Sequence, residues 1–328
     1  MKHIWIRPVA LLCLCLVLAG GLMSCTAPNH DNKADGVLRV VCTTYSAYDM
    51  ARSVLISDDS GKDQNTEILL LGRPGQDMHS YEPSAQDIIT LAKADVLISV
   101  GDTAEPWIKG ALSSANNSGL IRVIMTEVCG IAGEDCHEDH DHEHEHEHNE
   151  ETDEHVWVSL KNALKISKSI VKAAEEAVGD ASKAADIRTR GEAYEEKLTA
   201  LDQAYTDMVA QAKRKTILIA DRYPFIHLMK DYGLTCYAAF PGCSSETEAS
   251  FATQAELIQT VQTLELPSIF VIDGSDRRVA ETVAEKTGAK ILLLHSCQVI
   301  TEADMKAGLS YLDIAESNLE SLRKALCE

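Results

Sequence analysis

Aromatic residues are scarce in this sequence and make up only 5% of its 328 residues, which gives little support to a surface on which sugars or bases stack. The formal net charge of −21 argues against nucleic acid as a partner. No HExxH helix and no Gly-x-Ser-x-Gly turn occurs, so two common hydrolase motifs are missing. Beyond residue 25 no apolar run approaches the roughly 20 residues that a membrane-spanning helix needs.

The first 25 residues are typical of an export signal, with Lys2 and Arg7 as a charged start before an apolar stretch. The segment LMSC at 22–25 resembles the bacterial lipobox, in which cleavage leaves Cys25 as a lipidated N-terminus. The alternative is an ordinary secretory peptide cut near Ser24. Residues 26–36 are polar, as a tether to a membrane should be. We therefore expect an extracytoplasmic protein that is anchored to the cell membrane as a lipoprotein.

Residues 134–154 contain twelve Asp or Glu, six histidines and no Lys or Arg. Without this segment the chain carries a charge of −9, which is an ordinary acidic surface. Imidazole alternating with carboxylate offers many ligands to divalent transition metals but cannot fold into one fixed geometry. We predict auxiliary metal capture by the histidines of this tract: His137, His140, His142, His144, His146 and His148. The alternative is a solvated acidic loop with no role in metal binding.

Seven of the ten cysteines remain once Cys13 and Cys15 leave with the signal and Cys25 is lipidated. Seven is odd, so at least one has no intramolecular partner. Cys42 and Cys236 lie in apolar runs and are predicted to be core residues. Cys129 and Cys136 flank the base of the histidine tract and are candidates for a disulfide or for metal binding. Cys243 and Cys297 follow strand ends and are candidates for a disulfide in an oxidising location. The sequence leaves these pairings open.

Short apolar runs alternate with amphipathic stretches, which predicts an α/β fold with parallel sheets and helices on both faces. Strands are predicted at 37–43, 67–71, 95–100, 121–125, 217–220, 234–240, 269–272 and 291–294. Helices are predicted at 46–56, 84–94, 105–114, 223–231, 251–264, 276–287 and 302–326.

The stretch 159–213 is predicted to form two successive helices, with a break at Gly179-Asp180. Its second part spans about 45 Å at 1.5 Å per residue, longer than one small domain requires. We therefore predict two (β/α) lobes joined by one long rigid helix, with a cleft between the lobes. The predicted divisions are an N-terminal lobe at 37–180, a connecting helix at 181–213 and a C-terminal lobe at 214–328.

Three histidines outside the tract fall where this cleft should lie. His79 is in the loop GQDMHSYEPSAQD, His155 in DEHVWVSL, and His295 at the end of the strand in LLLHSCQ. Ligands in open parallel sheets bind beyond the carboxyl ends of the strands, so imidazoles from three segments are expected to meet at one zinc ion. Considered alone, each of these histidines is explained equally well as a polar residue at a strand or helix end with its hydrogen bonds satisfied. His227 lies within a predicted helix and is expected to pack or face solvent.

The same segments carry a family resemblance. GQDMHSYEPSAQD is similar to D-P-H-x-Y-E-P-S/T, DEHVWVSL to D-x-H-x-W, and DRYPFIHLMKDYGL to H-x-A-F-x-Y-x-x-x-x-YGL of the zinc/manganese-type substrate-binding lipoproteins of metal ABC importers (cluster A-I, the histidine-rich-loop zinc-binding group). The resemblance covers essentially all of the chain after the signal. It implies a monomer with one metal ion in the interlobe cleft. It also implies delivery to a membrane permease with its ATPase, and no catalysis.

Carried over by position, the resemblance implies His79 and His155 as metal ligands. Arg222 stands where the family usually has His or Glu, and a guanidinium does not bind a cation. Asp221 is therefore taken as the substitute, and His295 as the fourth ligand.

Glu246 and Glu248 are rivals of Asp221, because their acidic loop also follows a strand of the second lobe. Arg222 is expected to neutralise one of these carboxylates. Asp273 is a further candidate ligand, although capping of the helix that follows it is the favoured role.

Three imidazoles and one carboxylate favour Zn²⁺ over Mn²⁺ as the transported ion. Because ligands must be deprotonated, we expect metal to be lost as the pH falls below about 6–7. Two other functions stay open. One is a surface protein for metal storage or adhesion, in which the tract is the working part. The other is an extracytoplasmic zinc hydrolase with Glu82 as general base.

Overall fold

The computed structural model describes residues 36–56, 65–131, 153–241 and 249–328. The predicted export signal with Cys25 and all six histidines of the tract lie outside these residues. So do Cys136, Cys243 and the candidate ligands Glu246 and Glu248. Among the described helices, none is long and apolar enough to cross a membrane.

A four-stranded parallel sheet in the order β2-β1-β3-β4 forms the first lobe. Its strands are β1 (Leu38–Cys42), β2 (Thr66–Leu70), β3 (Val96–Ser99) and β4 (Ile121–Ile124). Its helices are α1 (Tyr45–Leu55), α2 (Ala85–Leu91), α3 (Ile108–Ala115) and α4 (Met125–Cys129). Every residue of β3 is buried, as expected of a parallel strand covered on both faces.

The second lobe repeats this architecture with a parallel sheet in the order β6-β5-β7-β8. Its strands are β5 (Thr216–Tyr223), β6 (Thr235–Pro241), β7 (Ser268–Val271) and β8 (Lys290–Leu293). Its helices are α7 (Ile226–Tyr232), α8 (Phe251–Thr263), α9 (Arg278–Thr287), α10 (Glu302–Ala307) and α11 (Tyr311–Cys327). Helices α5 and α6 come between the two sets of strands in the chain.

The two lobes are joined by α5 (Leu160–Val178) and the 30-residue helix α6 (Ala181–Ala210). The predicted break between them is confirmed. Gly179 ends α5 in a left-handed conformation, and the Asp180 side chain caps α6 by accepting from two backbone N–H groups. Helix α6 contacts α1 of the first lobe and α11 of the second, and one apolar cluster extends through both lobes. The predicted fold, two parallel-sheet lobes with a long helix between them, is confirmed.

Two predicted elements differ from the structure. The single helix predicted at 302–326 is two helices, because Gly308 ends α10 with a φ of 71° and Ser310 begins α11 with its own capping box. Strand β5 runs beyond the predicted end at residue 220, with a register shift against β6 between Ile219 and Arg222. Asp221 and Arg222 therefore lie on a strand rather than in a loop.

The described cysteines are thiols, including Cys129 and Cys297, whose suggested partners lie outside the described residues. Cys42 is fully buried, which confirms its predicted place in the core. Cys236 is partly buried and packs against the same apolar cluster. Burial raises the pKa of both thiols well above the usual range, as expected of inert core residues.

Gly191 sets the close approach of α5 and α6. A Cβ atom there would lie 2.5 Å from Cγ2 of Val171, a distance that cannot be accommodated without a shift. We expect Gly191→Ala to lower the free energy of unfolding by about 1–3 kcal/mol, although alanine favours the helix. Gly110→Ala in α3 is the matched control, because a Cβ there meets nothing within 4 Å and should add about 0.5–1 kcal/mol. Denaturant unfolding of both variants tests this, and equal effects would contradict it.

Candidate metal centre

His79 is held at the edge of the first lobe by a short turn after β2. Asp77 caps the 3₁₀ turn Met78–Ser80, and its Oδ1 accepts from the backbone N–H of His79 at 3.0 Å. The backbone carbonyl of Asp77 accepts from Ser80 Oγ at 2.9 Å. Met78 is buried and anchors the turn in the core. The backbone of His79 is thus fixed locally, because an Asp side chain satisfies the N–H groups that such a turn leaves free.

His155 is completely buried, and its ring is oriented by Asp153. One carboxylate oxygen of Asp153 accepts from the backbone N–H of His155 at 2.9 Å and lies 3.2 Å from its Nδ1. This contact places the proton on Nδ1 and leaves a lone pair on Nε2. Among the described residues, Nε2 of His155 has no hydrogen-bond partner. Such a buried, unsatisfied nitrogen costs about 1–3 kcal/mol, which a bound cation would offset.

His79, Glu154 and His155 converge on one point. The two imidazole centroids are 5.7 Å apart, and Glu154 Oε1 lies 3.6 Å from His79 Nδ1. One ligand atom from each of the three residues lies within 4.8 Å of the other two. A tetrahedral zinc ion with bonds of about 2.0–2.2 Å holds its ligand atoms roughly 3.4 Å apart. Modest side-chain rotations would therefore bring all three onto one ion.

The surroundings of His79 and His155 shift the pKa values of the two imidazoles in opposite directions. Burial lowers the pKa of His79, and the neighbouring His155 lowers it further. For His155 burial acts in the same direction, but the hydrogen bond and charge of Asp153 outweigh it and raise the pKa above its ordinary value. Burial alone would raise the pKa of Asp153, yet its contacts with His155 keep it below the usual range. Asp153 is therefore a carboxylate that holds the Nδ1 proton, as in many histidine metal sites.

The second lobe presents a guanidinium and an amide to this site. Arg222 Nη1 donates to Asp77 Oδ2 at 3.1 Å, and Gln298 Nε2 donates to Asp77 Oδ1 at 3.0 Å. Gln298 also adjoins the His155 ring. The sequence predicts a partner for Arg222 among the carboxylates of its own lobe. The structure instead gives it a partner in the first lobe.

The structure does not bring His295 or Asp221 into the group of three. The Nδ1 atom of His295 accepts from the backbone N–H of Cys297 at 3.0 Å and lies 3.4 Å from Asp273 Oδ1. Asp221 Oδ1 accepts from the backbone N–H of Arg222 at 2.8 Å. The predicted roles of His295 and Asp221 as metal ligands therefore stay predictions.

Asp273, a further candidate ligand, and His227 both have structural roles. Asp273 accepts from the backbone and hydroxyl of Ser296 and from the backbone N–H of Val299. It therefore shapes the loop after β8 and does not cap α9, whose N-cap residue is Arg277. His227 is buried, and its Nε2 lies 2.8 Å from the backbone carbonyl oxygen of Asp153. Of the two expected placements of His227, packing or facing solvent, the structure shows packing, and the residue supports the turn that carries His155.

Three residues of the site were missed by sequence reasoning. Glu154 was counted with the acidic tract, although its position beside His155 in the DEH segment was a usable signal. Asp77 precedes His79 by two residues, a spacing typical of an Asx turn. Gln298 has no comparable signal, because only the packing of the two lobes places it beside His155.

Comparison with known proteins agrees with these observations. Residues 40–325 match the family described as zinc-uptake complex component A, periplasmic. The zinc-binding lipoprotein AdcA of Streptococcus pneumoniae is 31% identical over 299 residues, which are 91% of this chain but only 58% of that protein. The high-affinity zinc uptake system protein ZnuA of Bacillus subtilis is 30% identical over 316 residues, which are 96% of this chain and 95% of that protein.

Solved structures show the same architecture. The Zn(II)-bound ZnuA-like domain of Streptococcus pneumoniae AdcA matches with a TM-score of 0.71 at 27% identity, covering 89% of this chain and 100% of that chain. The periplasmic zinc-binding protein TroA from Treponema pallidum shares the fold with a TM-score of 0.70 at 20% identity, again covering 89% and 100%. The resemblance carried by the sequence motifs is thereby confirmed, and the chain belongs to the family of the periplasmic component A of zinc-uptake complexes.

Proposed function

We propose that the protein is an extracytoplasmic receptor that captures Zn²⁺ and delivers it to the permease and ATPase of an ABC importer. The observation that carries the proposal is the convergence of His79, Glu154 and His155 on one point, where the Nε2 atom of His155 is buried without a hydrogen-bond partner among the described residues. Relatives over nearly the whole chain are named for zinc binding and zinc uptake, which supports delivery rather than catalysis.

We assign His79, Glu154 and His155 as protein ligands of the transported ion. Two imidazole nitrogens and one carboxylate favour Zn²⁺ over Mn²⁺, which prefers oxygen ligands. Three protein ligands leave the fourth position of a tetrahedral site for water or a further side chain. His295, Asp221, Glu246 and Glu248 are the candidates for that position.

The proposed receptor is anchored to the membrane, collects zinc through its histidine-rich tract and works as a monomer. Anchoring through lipidated Cys25 is supported by the LMSC segment and by the name lipoprotein given to the Streptococcus pneumoniae relative. The histidine-rich tract would collect several ions weakly and raise their concentration near the cleft. A receptor with this arrangement works as a monomer, because all three assigned ligands come from one chain.

Deletion of the tract separates this proposal from metal storage. Removal of residues 134–152 spares Asp153 and Glu154, so we expect one tightly bound zinc ion per chain to remain. Removal of residues 134–154 takes away an assigned ligand and the residue that orients His155, and should weaken that ion at least tenfold. Zinc stoichiometry and affinity, measured by competition with a chelator, test both deletions. A storage protein would instead lose nearly all its capacity in the shorter deletion.

A further inference from the structure

Asp77 joins the two lobes beside the candidate metal centre. It belongs to the first lobe, in the turn that carries His79, whereas both side chains that donate to it belong to the second lobe. Arg222 lies on β5 and Gln298 in the loop after β8. The contact therefore connects the two lobes directly at the site, through protein side chains alone.

The carboxylate of Asp77 is fully engaged. Its Oδ1 accepts from the His79 backbone and from Gln298, and its Oδ2 accepts from Arg222. Gln298 is buried, and the Arg222 and Asp77 side chains are each about three-quarters buried. Bonds of a charged donor to a carboxylate are about twice as strong as neutral ones, and partial burial limits their screening by salt. The contact is thus more than a surface ion pair.

We propose that Asp77, Arg222 and Gln298 form a clasp that holds the lobes closed over the site in the absence of metal. This inference rests on the proposed function and adds to it. The three assigned ligands all precede the connecting helix in the chain, whereas the contacts of Arg222 and Gln298 with Asp77 link the second lobe to the turn that carries His79. Arg222 is a positioning residue, which acts on His79 through Asp77 and not through the metal.

The clasp has two consequences for transport. Zinc enters a site whose lobes are already closed, so that binding requires only side-chain rotation. Release requires separation of Arg222 and Gln298 from Asp77, which also frees the turn that carries His79. A permease that draws the lobes apart would therefore loosen the ion at the same time.

Hydrogen–deuterium exchange and zinc dissociation together test the clasp. Exchange is followed at residues 219–224 and 294–300 of the second lobe, in metal-free and zinc-loaded protein. We expect wild-type exchange at these segments to agree within about twofold in the two forms. In Arg222→Gln, exchange of the metal-free protein should rise about tenfold and zinc should dissociate about tenfold faster, the effect expected of one charge-assisted hydrogen bond.

Three further variants are compared with Arg222→Gln. Arg222→Lys retains the charge and should recover part of the protection. Asp77→Asn still offers an oxygen to the His79 backbone but loses the ion pair, so it should reproduce the result of Arg222→Gln. Arg214→Gln is the matched control, because Arg214 lies before β5 and donates to the Ala325 carbonyl oxygen; it should leave both segments unchanged.

A tenfold rise of wild-type exchange on zinc removal would overturn the clasp, because the ion would then be what closes the lobes. Unchanged metal-free exchange in both Arg222→Gln and Asp77→Asn would overturn it equally. Absence of a tight zinc ion from wild-type protein would instead refute the proposed function. The two failures are therefore distinguishable in the same experiment.

Discussion

His155→Ala is expected to weaken zinc binding by at least a hundredfold. The His155 ring is completely buried and oriented by Asp153, so the substitution removes an imidazole that is already positioned for the ion. Structural zinc sites gain about 10–16 kcal/mol from their ligands together, and loss of one ligand therefore removes several kcal/mol. The affinity should be measured by chelator competition on protein without residues 134–152, so that the tract does not buffer the ion.

His295→Ala is the matched comparison. The Nδ1 atom of His295 already accepts from the Cys297 backbone, so the geometry favours a change in zinc affinity of less than about threefold. A hundredfold loss in this variant would instead support the sequence-based prediction that His295 is a ligand. Zinc affinity that survives His155→Ala in a correctly folded variant would remove the central ligand of the proposed site.

Zinc affinity should fall steeply as the pH is lowered, in two stages. Both imidazoles must be neutral to bind the ion. The pKa of His155 is raised by Asp153, so proton competition there begins above the ordinary histidine value of about 6.5. The pKa of His79 is lowered by burial and by His155, so its competition begins at lower pH. We expect affinity to fall about tenfold per pH unit at first, then about a hundredfold per unit once both protonate.

A titration of zinc affinity between pH 8 and pH 5 measures these two stages. Asp153→Asn is the informative variant, because it removes the charge that raises the pKa of His155. The first stage should then begin at lower pH, while the affinity at pH 8 falls by about 10–100-fold through loss of the ring's orientation. Affinity that stays constant down to pH 4 would exclude histidine ligands altogether.

Much of the architecture followed from local sequence patterns. The alternation of short apolar runs with amphipathic stretches predicted both parallel sheets, and the break at Gly179-Asp180 followed from residues that end and begin helices. Gly308 was the exception, because a single glycine inside an amphipathic pattern is compatible with either a continuous helix or two helices. His79 and His155 were found because each stands in a recognisable local segment.

Periodicity, helix-ending residues and short motifs are properties of neighbouring residues, so they were sufficient to predict the two lobes, the long helix and two imidazoles of the site. The groups that face those imidazoles depend on how distant parts of the chain pack together. Arg222 and Gln298 reach Asp77 from positions 145 and 221 residues further along the chain, and no local pattern encodes such a meeting. The contact of Glu154 with His79 is of the same kind, because it joins two segments that are far apart in the chain.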